Sequence, residues 1–567
     1  MSVIKRLVRF SRQHYPVFFV ALTASILASL TDVTFLYLIK QCTDRHHMSE
    51  AFTPVVIICS LLLLVILRST FNYQAEVGLF KFGRNVIIDL RKALYEKLLA
   101  LRVEAVARHS SGDLTAKLIY QTEQLGTGLL NISKSLLQEG LVIVTFVVAL
   151  LCMNFMLTVI VIATLCLIAY GIQLAAKYMR PHQFAVQNKL SELAHFMDQS
   201  KHSIKTVAMT DVHQSMNGLF ANIVHNHANH QLKINRASAL SSGITHFIIS
   251  MPLAGIIWLV MVFPTWVSAG DFAALIFGFS RIYAPLKRVS RINVELQSAI
   301  AAGDSLFTWF DLPNENRDGK SCNLDTVPSI ALNDISVLRD DRAILSNCTL
   351  NIPKGSIYAF AGETASGKTT LLQVIAGLIE PDSGQMLVNG QNMNVFSITS
   401  WRKHIGFVDQ SLPLFNLSIA ENIAFFHEID MDRVKWACHI AAIDRDIEQL
   451  ANKYTHMVDY GGSNLSGGQR QRIVLARALY HAKHILIIDE ATSALDNETE
   501  QLIYQRIKEH TQLTILLSSH RLAGLKFADR VVLIDRGKII DQGAFDDLYS
   551  RNLRFIQLLG EKDEATH

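Results

Sequence analysis

The segment Gly362–Thr369 reads Gly-Glu-Thr-Ala-Ser-Gly-Lys-Thr and fits the pattern G-x-x-x-x-G-K-[ST]. An apolar run, Ser356–Ala361, precedes it, and a helix-like run, Thr370–Ala376, follows it. The glycines let the backbone wrap closely, so that its N–H groups and the start of the next helix face a polyphosphate. In such a loop Lys368 would reach the β- and γ-phosphates, and the Thr369 hydroxyl would bind Mg²⁺. The motif therefore predicts a nucleotide-binding domain in the second half of the chain.

Length and composition exclude an ordinary small soluble protein. The chain has 567 residues, which is enough for three or four domains of about 150 residues each. Half of the residues are hydrophobic and only 18% are charged, a balance too apolar for a typical soluble enzyme. The formal net charge of +4 is too small to suggest a nucleic-acid partner. The seven cysteines have no metal-ligand spacing, and most of them are expected to be small buried apolar residues in a reducing compartment.

Apolar runs recur through the first part of the chain and predict six membrane-spanning helices. Each run is close to or longer than the ~20 residues that a helix needs to cross the hydrocarbon core. The third is long enough for two helices joined by a tight turn at Asn154. The number of such runs disfavours the alternative, a bundle of buried soluble helices. The runs are Pro16–Ile39, Ala51–Leu67, Gly140–Ile172, Ile244–Phe263 and the weaker Phe272–Val289.

The basic residues predict how these helices are oriented. Six spans place both termini on one side, together with the long polar segments 81–125 and 177–240, whereas the opposite loops are short. Because cytoplasmic loops carry the excess of Lys and Arg, this side is predicted to be cytoplasmic. The polar segments look helical, so we expect the spans to continue as rods beyond the bilayer. No small-residue cleavage site follows the first run, which favours a first span over a signal peptide.

Charged residues at membrane depth predict a polar chamber. Buried charge in lipid is costly, so such groups usually face a cavity or one another. We expect Asp32 to face a cavity, whereas Arg68 is equally compatible with a cavity and with the interface. For Lys287 and Arg288 the favoured interpretation is snorkelling to the interface. The charged positions considered are Asp32, Arg68, Glu76, Arg281 and Lys287.

A polar linker near Asp311–Asp325 separates this half from one in which short apolar strands alternate with helical patterns. The alternation predicts an α/β domain with a mainly parallel sheet. We therefore predict a transmembrane domain over residues 1–310, a linker over 311–328 and a nucleotide-binding domain over 329–567.

Four polar motifs follow the phosphate loop. At a strand end beside the loop, the Asp489 carboxylate suits Mg²⁺ through water, and Glu490 could orient or deprotonate an attacking water. His520 could sense the γ-phosphate. A Ser-Gly-Gly segment is a second anion-binding helix start, which would complete a site on another chain. The motifs are Gln410 after Ile405–Val408, Leu465–Gln469 before a helix at Arg470, Asp489-Glu490 after Ile485–Ile488, and Ser518–His520 after Leu513–Leu517.

Taken singly, Gln410 and His520 are more often ordinary polar residues, but the whole series in this order closely resembles the nucleotide-binding domain of ABC transporters. The chain as a whole is similar to a half-size exporter that fuses six spans to one ATPase. The resemblance implies an all-α six-helix transmembrane domain followed by an α/β P-loop ABC ATPase domain. It also implies ATP and Mg²⁺ as cofactors, and a head-to-tail dimer in which each signature motif closes on the partner's phosphate loop.

The same resemblance assigns roles to individual residues. Catalysis falls to Glu490, His520 and Gln410, and Mg²⁺ binding to Thr369, Gln410 and Asp489. The segment Ser493–Asp496 corresponds to the family's D-loop. The residues assigned to ATP are Gly362, Glu363, Thr364, Ala365, Ser366, Gly367, Lys368, Thr369, Thr370, Ser466, Gly467, Gly468, Gln469 and Asp496.

The membrane half carries a weaker resemblance to the same exporters. Ser110–Leu114, running on to Glu123-Gln124, resembles the first cytoplasmic coupling loop, and Ile204–Gln214 lies where the second would be. Ala301–Phe307 resembles the link from the sixth span to the ATPase and is most like the bacterial lipid A flippase branch.

That branch carries basic residues in its cavity, and the chain matches them only in part. Arg68 and Lys287 have counterparts among them, whereas two other positions fall on Gln138 and Ala284. With Asp32, these two basic residues are the predicted substrate-cavity residues.

Two further departures concern the ATPase. The family carries an aromatic residue upstream of the phosphate loop that stacks on adenine, but here the equivalent positions are Val337 and Leu338. Apolar contact, or stacking by Arg339 or Arg342, would be a weaker substitute and predicts weaker or less selective ATP binding. Tyr460 replaces the acidic residue that the family places before the signature motif.

The resemblance implies a homodimeric exporter in the inner (cytoplasmic) membrane, with both termini in the cytoplasm. It would hydrolyse ATP to alternate the access of a central cavity for a lipid or another amphiphilic molecule, with membrane lipids as partners and no nucleic acid. Export of drugs or peptides, a heterodimeric assembly, and a regulatory or channel-like ABC protein remain open alternatives. The presence of Glu490 and His520 argues against the regulatory alternative.

Overall fold

The computed structural model describes residues 3–44, 54–109, 114–153, 155–262, 268–289, 292–315, 317–339, 342–409, 413–492 and 494–563. The chain divides into two compact units. The first comprises Met1–Leu99 and His109–Leu312, and the second comprises Ala100–Arg108 and Pro313–His567.

The first unit is helical within its described residues. Its long helices contain the apolar runs that predict membrane spans, and two short stretches, Ala116–Gln121 and Lys134–Glu139, form π-helix. The α-helices are α1 (Val3–Ser11), α2 (Tyr15–Thr43), α3 (Pro54–Ala100), α4 (Val103–Ala107, in the second unit), α5 (Thr122–Ser133), α6 (Gly140–Met153), α7 (Phe155–His202), α8 (Ile204–Thr210), α9 (His213–Val262), α10 (Ala269–Val289) and α11 (Ile292–Asp311).

Helices occupy the described residues of all six predicted spans. Within the described residues, three helical stretches are long and apolar enough to cross a membrane: Lys5–Thr43, Val55–Ala100 and Lys117–Met153. The predicted third run divides into α6 and α7, and Asn154, where the turn was predicted, lies outside the described residues. The remaining predicted spans coincide with parts of α7, α9 and α10.

Three helices extend far beyond the length of a span. The helices α3, α7 and α9 contain 47, 48 and 50 residues. At about 1.5 Å per residue each is ~70 Å long, more than twice the ~30 Å of the hydrocarbon core. The prediction that spans continue as rods is therefore confirmed.

Small residues let α2 and α3 approach closely. A Cβ atom added at Gly78 of α3 would lie 2.8 Å from the Ala21 Cβ of α2, and Ala21, Ala24 and Ala28 are buried on one face of α2. Helices in lipid associate through such small-residue contacts because no hydrophobic effect drives them together. This contact holds together two of the helices that supply the cavity described below.

The second unit contains two sheets. A six-stranded sheet has the order β10-β9-β3-β8-β7-β6, in which only β9 and β10 pair antiparallel. A four-stranded antiparallel sheet has the order β2-β1-β4-β5. The strands are β1 (Ile330–Arg339), β2 (Arg342–Ile352), β3 (Ile357–Ala361), β4 (Ser383–Val388), β5 (Gln391–Asn392), β6 (Ile405–Val408), β7 (Ile485–Asp489), β8 (Thr514–Ser518), β9 (Arg530–Asp535) and β10 (Lys538–Gly543).

The central strands are apolar throughout because both of their faces are buried. In β3, Ile357, Ala359 and Ala361 enter one apolar core, and Tyr358 and Phe360 enter the other. Parallel strands covered on both faces show this continuous apolar pattern. The predicted α/β domain with a mainly parallel sheet is confirmed, whereas the antiparallel sheet was not predicted.

In the described residues, ten α-helices besides α4 accompany these sheets. They are α12 (Lys368–Ile375), α13 (Ile398–Arg402), α14 (Ile419–Ala424), α15 (Met431–Ile440), α16 (Asp444–Gln449), α17 (Gly467–His481), α18 (Asn497–His510), α19 (Leu522–Phe527), α20 (Phe545–Arg551) and α21 (Leu553–Asp563). The helix predicted to begin at Arg470 begins at Gly467 instead, because Ser466 caps it.

The segment Ala100–Arg108 groups with the second unit, although the predicted boundaries place it in the transmembrane domain. Leu101 forms an antiparallel bridge with Asn314, and the Glu315 N–H donates to the Ala100 carbonyl at 2.8 Å. Arg102 also pairs with Glu380 at 2.9 Å. Composition along the chain does not indicate which distant residues pair, so this part of the domain boundary could not be predicted.

Candidate active site

The phosphate loop follows β3 and ends at the start of α12. Its backbone adopts left-handed φ angles at Gly362 (155°), Ala365 (64°) and Gly367 (108°). A Cβ at Gly362 would lie 2.2 Å from the Ile534 carbonyl oxygen, and one at Gly367 would lie 2.8 Å from the Leu345 side chain. Both positions therefore require glycine, and the turn that they permit is of the kind whose N–H groups bind anions.

Lys368 folds back over this loop. Its Nζ donates to the carbonyl oxygens of Gly362 and Glu363, at 2.8 Å each, and the residue is buried. The ammonium group is thereby held by the loop's own carbonyl oxygens. A lysine at this position of such a loop contacts the terminal phosphates when a nucleotide is bound.

The pairing of β7 with β8 places Asp489, at the end of β7, close to the phosphate loop. In the parallel pair of β7 and β8, Asp489 lies opposite Ser518. Asp489 Oδ1 accepts from the Ser518 hydroxyl at 2.6 Å and from the Thr369 hydroxyl at 3.1 Å. Burial raises the pKa of Asp489 above its usual value, and these two hydrogen bonds oppose that shift.

The second carboxylate oxygen of Asp489, Oδ2, is buried without a hydrogen-bond partner. A buried carboxylate oxygen normally has a partner, and leaving it unpaired is costly. Mg²⁺ prefers oxygen ligands and keeps several of its waters. The Thr369 hydroxyl and this oxygen therefore fit a magnesium ion.

Glu490 and His520 lie at the same edge of the sheet. The Glu490 N–H donates to Ser518 Oγ at 3.1 Å, and its backbone has a left-handed φ of 48°. Its carboxylate Oε1 lies 3.9 Å from His520 Nδ1. The edge therefore brings together the proposed metal ligand, the proposed base and the proposed γ-phosphate sensor.

The signature segment begins α17 with a reciprocal cap. The Ser466 side chain accepts from the Gln469 N–H at 3.2 Å, and the Gln469 side chain accepts from the Ser466 N–H at 3.0 Å. Gln469 also donates to Asp446, which pairs with Arg472 at 2.8 Å. Asp446, on α16, was missed by the sequence analysis because it is remote from the motif.

The D-loop contacts the signature helix. The Ala494 N–H donates to Gln471 Oε1 at 3.0 Å, and Asp496 caps α18 by accepting from the Thr499 N–H at 2.9 Å. In this chain Asp496 thus has a capping role beside its predicted nucleotide role. Two other predicted residues, Gln410 and Ser493, lie outside the described residues.

The two candidates for adenine contact differ in burial. Val337 is 2% exposed and belongs to the core between the sheets, whereas Leu338 is 53% exposed. Leu338 pairs with Ala343, and a Cβ atom added at Gly367 of the phosphate loop would lie 2.8 Å from the Leu345 side chain. Of the two candidates, only Leu338 therefore has a side chain that a ligand can reach. Tyr460 is 93% exposed, so its ring is available to other protein surfaces.

The helical unit contains a polar cavity of about 330 Å³. Asp32 accepts from Arg68 at 2.6 Å and from Arg281 at 3.1 Å. The predicted placement of Asp32 and Arg68 at a cavity agrees with this lining, whereas the side chain of Lys287 lies outside the described residues.

The interfacial position favoured for Arg288 is wrong, because Arg288 lines the cavity and pairs with Glu139 at 2.7 Å.

Several residues that line the cavity could not be assigned to it from the sequence. Lys134, Gln138 and Glu139 come from the π-helical stretch, and Lys134 pairs with Glu76 of α3. A π-helical turn in an otherwise α-helical segment often accompanies a functional site. Gln138 and Ala284, where the resemblance would place basic residues, both line the cavity.

A phosphate loop, a buried acid at the end of a nearby strand of the same sheet and a capped signature helix define an ATP-binding cassette domain, here joined to a helical membrane domain. Comparison with family models agrees. Residues 345–493 match the model described as ABC transporter, and residues 18–286 match the ABC transporter transmembrane region. The chain belongs to the ABC transporter family and is a half-size member, with one set of membrane helices and one ATPase domain.

Curated relatives match nearly the whole chain. It is 29% identical to the ATP-dependent lipid A-core flippase of Methylococcus capsulatus (strain ATCC 33009 / NCIMB 11132 / Bath), over 97% of this chain and 94% of the relative. It is 28% identical to the flippase of the same name from Coxiella burnetii (strain RSA 493 / Nine Mile phase I), over 98% and 95%.

A solved structure of a bacterial Atm1-family ABC exporter with ATP bound has the same fold. The TM-score is 0.83 at 21% identity, over 97% of this chain and 98% of that chain. The fold class predicted from the sequence is therefore confirmed.

Proposed function

We propose that the chain is an ATP-driven exporter that flips an amphiphilic lipid across the cytoplasmic membrane by alternating access. The observation that carries this proposal is a cluster of four predicted hydrolytic residues in the same chain as a polar cavity among membrane helices. Thr369, Asp489, Glu490 and His520 meet at one edge of the sheet. The full-length similarity to lipid A-core flippases supports a lipid as substrate.

Each residue of the site has a definite task in hydrolysis. Lys368 and the loop N–H groups hold the polyphosphate, and Thr369 with Asp489 would hold Mg²⁺, which neutralises charge on the β- and γ-phosphates. Glu490 accepts a proton from, or orients, the attacking water. His520 donates to the γ-phosphate oxygen and thereby reports whether that phosphate is present.

The assembly that we propose is a homodimer with both termini in the cytoplasm. In this assembly the capped Ser466–Gln469 segment closes on the partner's phosphate loop, because a helix start offers N–H groups and a positive dipole end to phosphate. Two bound nucleotides then stabilise the closed pair of ATPase domains. The higher affinity of ATP for the closed state supplies the energy for switching the cavity.

ATPase activity in lipid nanodiscs tests the proposal. We expect stimulation by lipopolysaccharide-type lipids or phospholipids, and loss of turnover in Glu490→Gln with ATP binding retained. Stimulation by unrelated hydrophobic drugs alone would instead indicate a multidrug exporter. Negligible turnover of the unaltered protein under every condition would indicate a regulatory protein.

A further inference from the structure

The cavity of the helical unit is lined by charges of both signs. Its described lining includes four cationic side chains and three carboxylates, which leaves a surplus of one positive charge. A cavity built only to attract anions would not need carboxylates in its wall. The cations are Arg68, Lys134, Arg281 and Arg288, and the carboxylates are Asp32, Glu76 and Glu139.

The surplus charge is localised at Asp32. Arg288 pairs with Glu139 at 2.7 Å, and Lys134 pairs with Glu76, so that each of these two pairs is neutral. Asp32, in contrast, accepts from two guanidinium groups, those of Arg68 and Arg281. These three side chains, which we call the Asp32 cluster, carry one net positive charge.

In the Asp32 cluster the two guanidinium groups are partly exposed, whereas the carboxylate is buried. The side chain of Asp32 is 7% exposed, whereas the side chains of Arg68 and Arg281 are 39% and 32% exposed. A ligand in the cavity therefore meets two guanidinium groups that are held side by side by a carboxylate behind them. Guanidinium groups bind phosphate oxygens through paired hydrogen bonds.

The buried carboxylate also limits how much negative charge the cluster can accept. One negative charge on a ligand neutralises the cluster, and a second would remain uncompensated beside Asp32. Uncompensated charge at membrane depth is costly. A phosphodiester carries one negative charge, whereas a phosphate monoester carries about 1.5 to 2 at neutral pH.

We infer that Asp32 is a specificity-determining residue that selects a singly charged phosphodiester headgroup over a phosphate monoester. The inference rests on the proposed function, because it names the substrate class of the same cavity. Asp32 acts through the two arginines and does not itself contact the ligand. The ligand chemistry is a phosphodiester, carried by a glycerophospholipid or by a soluble phosphodiester.

Binding to the full-length protein in detergent, without nucleotide, tests the inference. The probes are fluorescent phosphatidylglycerol and phosphatidic acid with identical acyl chains, which differ in having a phosphodiester or a monoester. The unaltered protein is expected to bind phosphatidylglycerol more tightly. Asp32→Asn raises the cluster charge to two and should shift the affinity ratio about tenfold toward phosphatidic acid. Glycerophosphoglycerol, which lacks acyl chains, distinguishes a soluble ligand from a lipid.

A matched control removes the carboxylate of another ion pair that joins α2 and α10, the helices of Asp32 and Arg281. Asp271 of α10 pairs with Lys40 of α2 at 2.7 Å and does not line the cavity. Asp271→Asn should leave the ratio of the two affinities unchanged. Tighter binding of phosphatidic acid by the unaltered protein, or an unchanged ratio in Asp32→Asn, would overturn the inference.

A second variant covers the case in which Asp32→Asn does not fold. Arg281→Gln leaves a neutral Arg68–Asp32 pair, and it should weaken binding of both lipids about tenfold. Unweakened binding by a monodisperse Arg281→Gln protein would also overturn the inference.

The proposed function can fail independently of this selectivity. Glu490→Gln should leave the affinity ratio intact because Glu490 is in the ATPase domain. Selective binding without ATP-driven lipid movement would refute the proposed function alone. ATP-driven movement without any preference for the phosphodiester would refute the inference alone.

Discussion

At the scale of single residues, one hydroxyl group organises the hydrolytic edge. Ser518 Oγ donates to Asp489 at 2.6 Å and accepts from the Glu490 N–H at 3.1 Å. It therefore fixes both the proposed metal ligand and the backbone of the proposed base. Hydrogen-bond partners of metal ligands and catalytic groups hold those groups in orientation, and removing such a partner lowers metal affinity or activity.

Ser518→Ala should lower kcat about 10–100-fold, because Asp489 and Glu490 lose a shared partner. The measurement is ATPase turnover as a function of Mg²⁺ concentration, which should also shift to higher values. Ser550→Ala, which removes a local helix hydrogen bond to Asp547, serves as the control. Turnover within twofold of the unaltered protein, at about the same Mg²⁺ requirement, would contradict this role.

The exposed Leu338 makes the absence of an adenine-stacking residue testable. Leu338→Tyr should tighten ATP binding about fivefold, because an aromatic contact contributes about 0.5–1.5 kcal/mol. Equilibrium binding of ATP and GTP to the Glu490→Gln background measures the change. Val395→Tyr adds an aromatic ring at another exposed position of the same unit and should have no effect. Equal changes in both variants would count against an adenine site at Leu338.

His481 in the last turn of α17 predicts a pH dependence of stability. Burial, with His427 and Arg433 nearby, lowers the pKa of His481 from 6.5 to about 4. The folded state therefore stays unprotonated at this residue where the unfolded state binds a proton, so that stability falls as pH decreases from 6.5 toward 4.

The test is the unfolding midpoint at about pH 7.5 and about pH 5. His481→Gln should reduce the difference between the two midpoints, whereas His510→Gln, at an exposed histidine, should not. An unchanged difference in His481→Gln would show that other groups cause the pH dependence.

At the scale of elements, two helices begin with the same reciprocal cap but differ in their location. Ser466 and Gln469 cap α17 at the signature segment, and Ser418 and Glu421 cap α14. Because the local chemistry is matched, the two caps separate a structural effect from a functional one.

Ser466→Ala and Ser418→Ala should each lower the free energy of unfolding by about 1 kcal/mol. Only Ser466→Ala should also reduce ATPase turnover at saturating ATP, since its hydroxyl and helix start are proposed to face the partner's nucleotide. Denaturant unfolding and turnover are measured on the same preparations. Equal turnover losses in both variants would assign the effect to stability.

Some secondary-structure elements could be predicted from the sequence, and others could not. The strands Ile405–Val408 and Ile485–Asp489 were predictable because apolar runs ended in polar motif residues. The antiparallel sheet was not, because its register depends on pairings such as Ile330 with Val388. The pairing of Arg288 with Glu139 was also unpredictable, because it joins helices that are distant in sequence.

At the scale of the whole molecule, the chain combines one ATPase domain with one set of membrane helices. The order of the motifs was sufficient to predict both domains. The sequence does not specify the partner on which the signature segment is proposed to close. Co-purification of two differently tagged copies should demonstrate the homodimer, and recovery of a different chain in place of the second copy would indicate a heterodimer.

Lipid translocation in proteoliposomes tests whether ATP hydrolysis drives lipid across the membrane. Accessibility of a fluorescent phospholipid to a membrane-impermeant quencher is followed after ATP addition, for the unaltered protein and Glu490→Gln. We expect ATP-dependent movement by the unaltered protein and none by Glu490→Gln. Movement that is equal in both proteins, or absent from an unaltered protein that hydrolyses ATP, would contradict it.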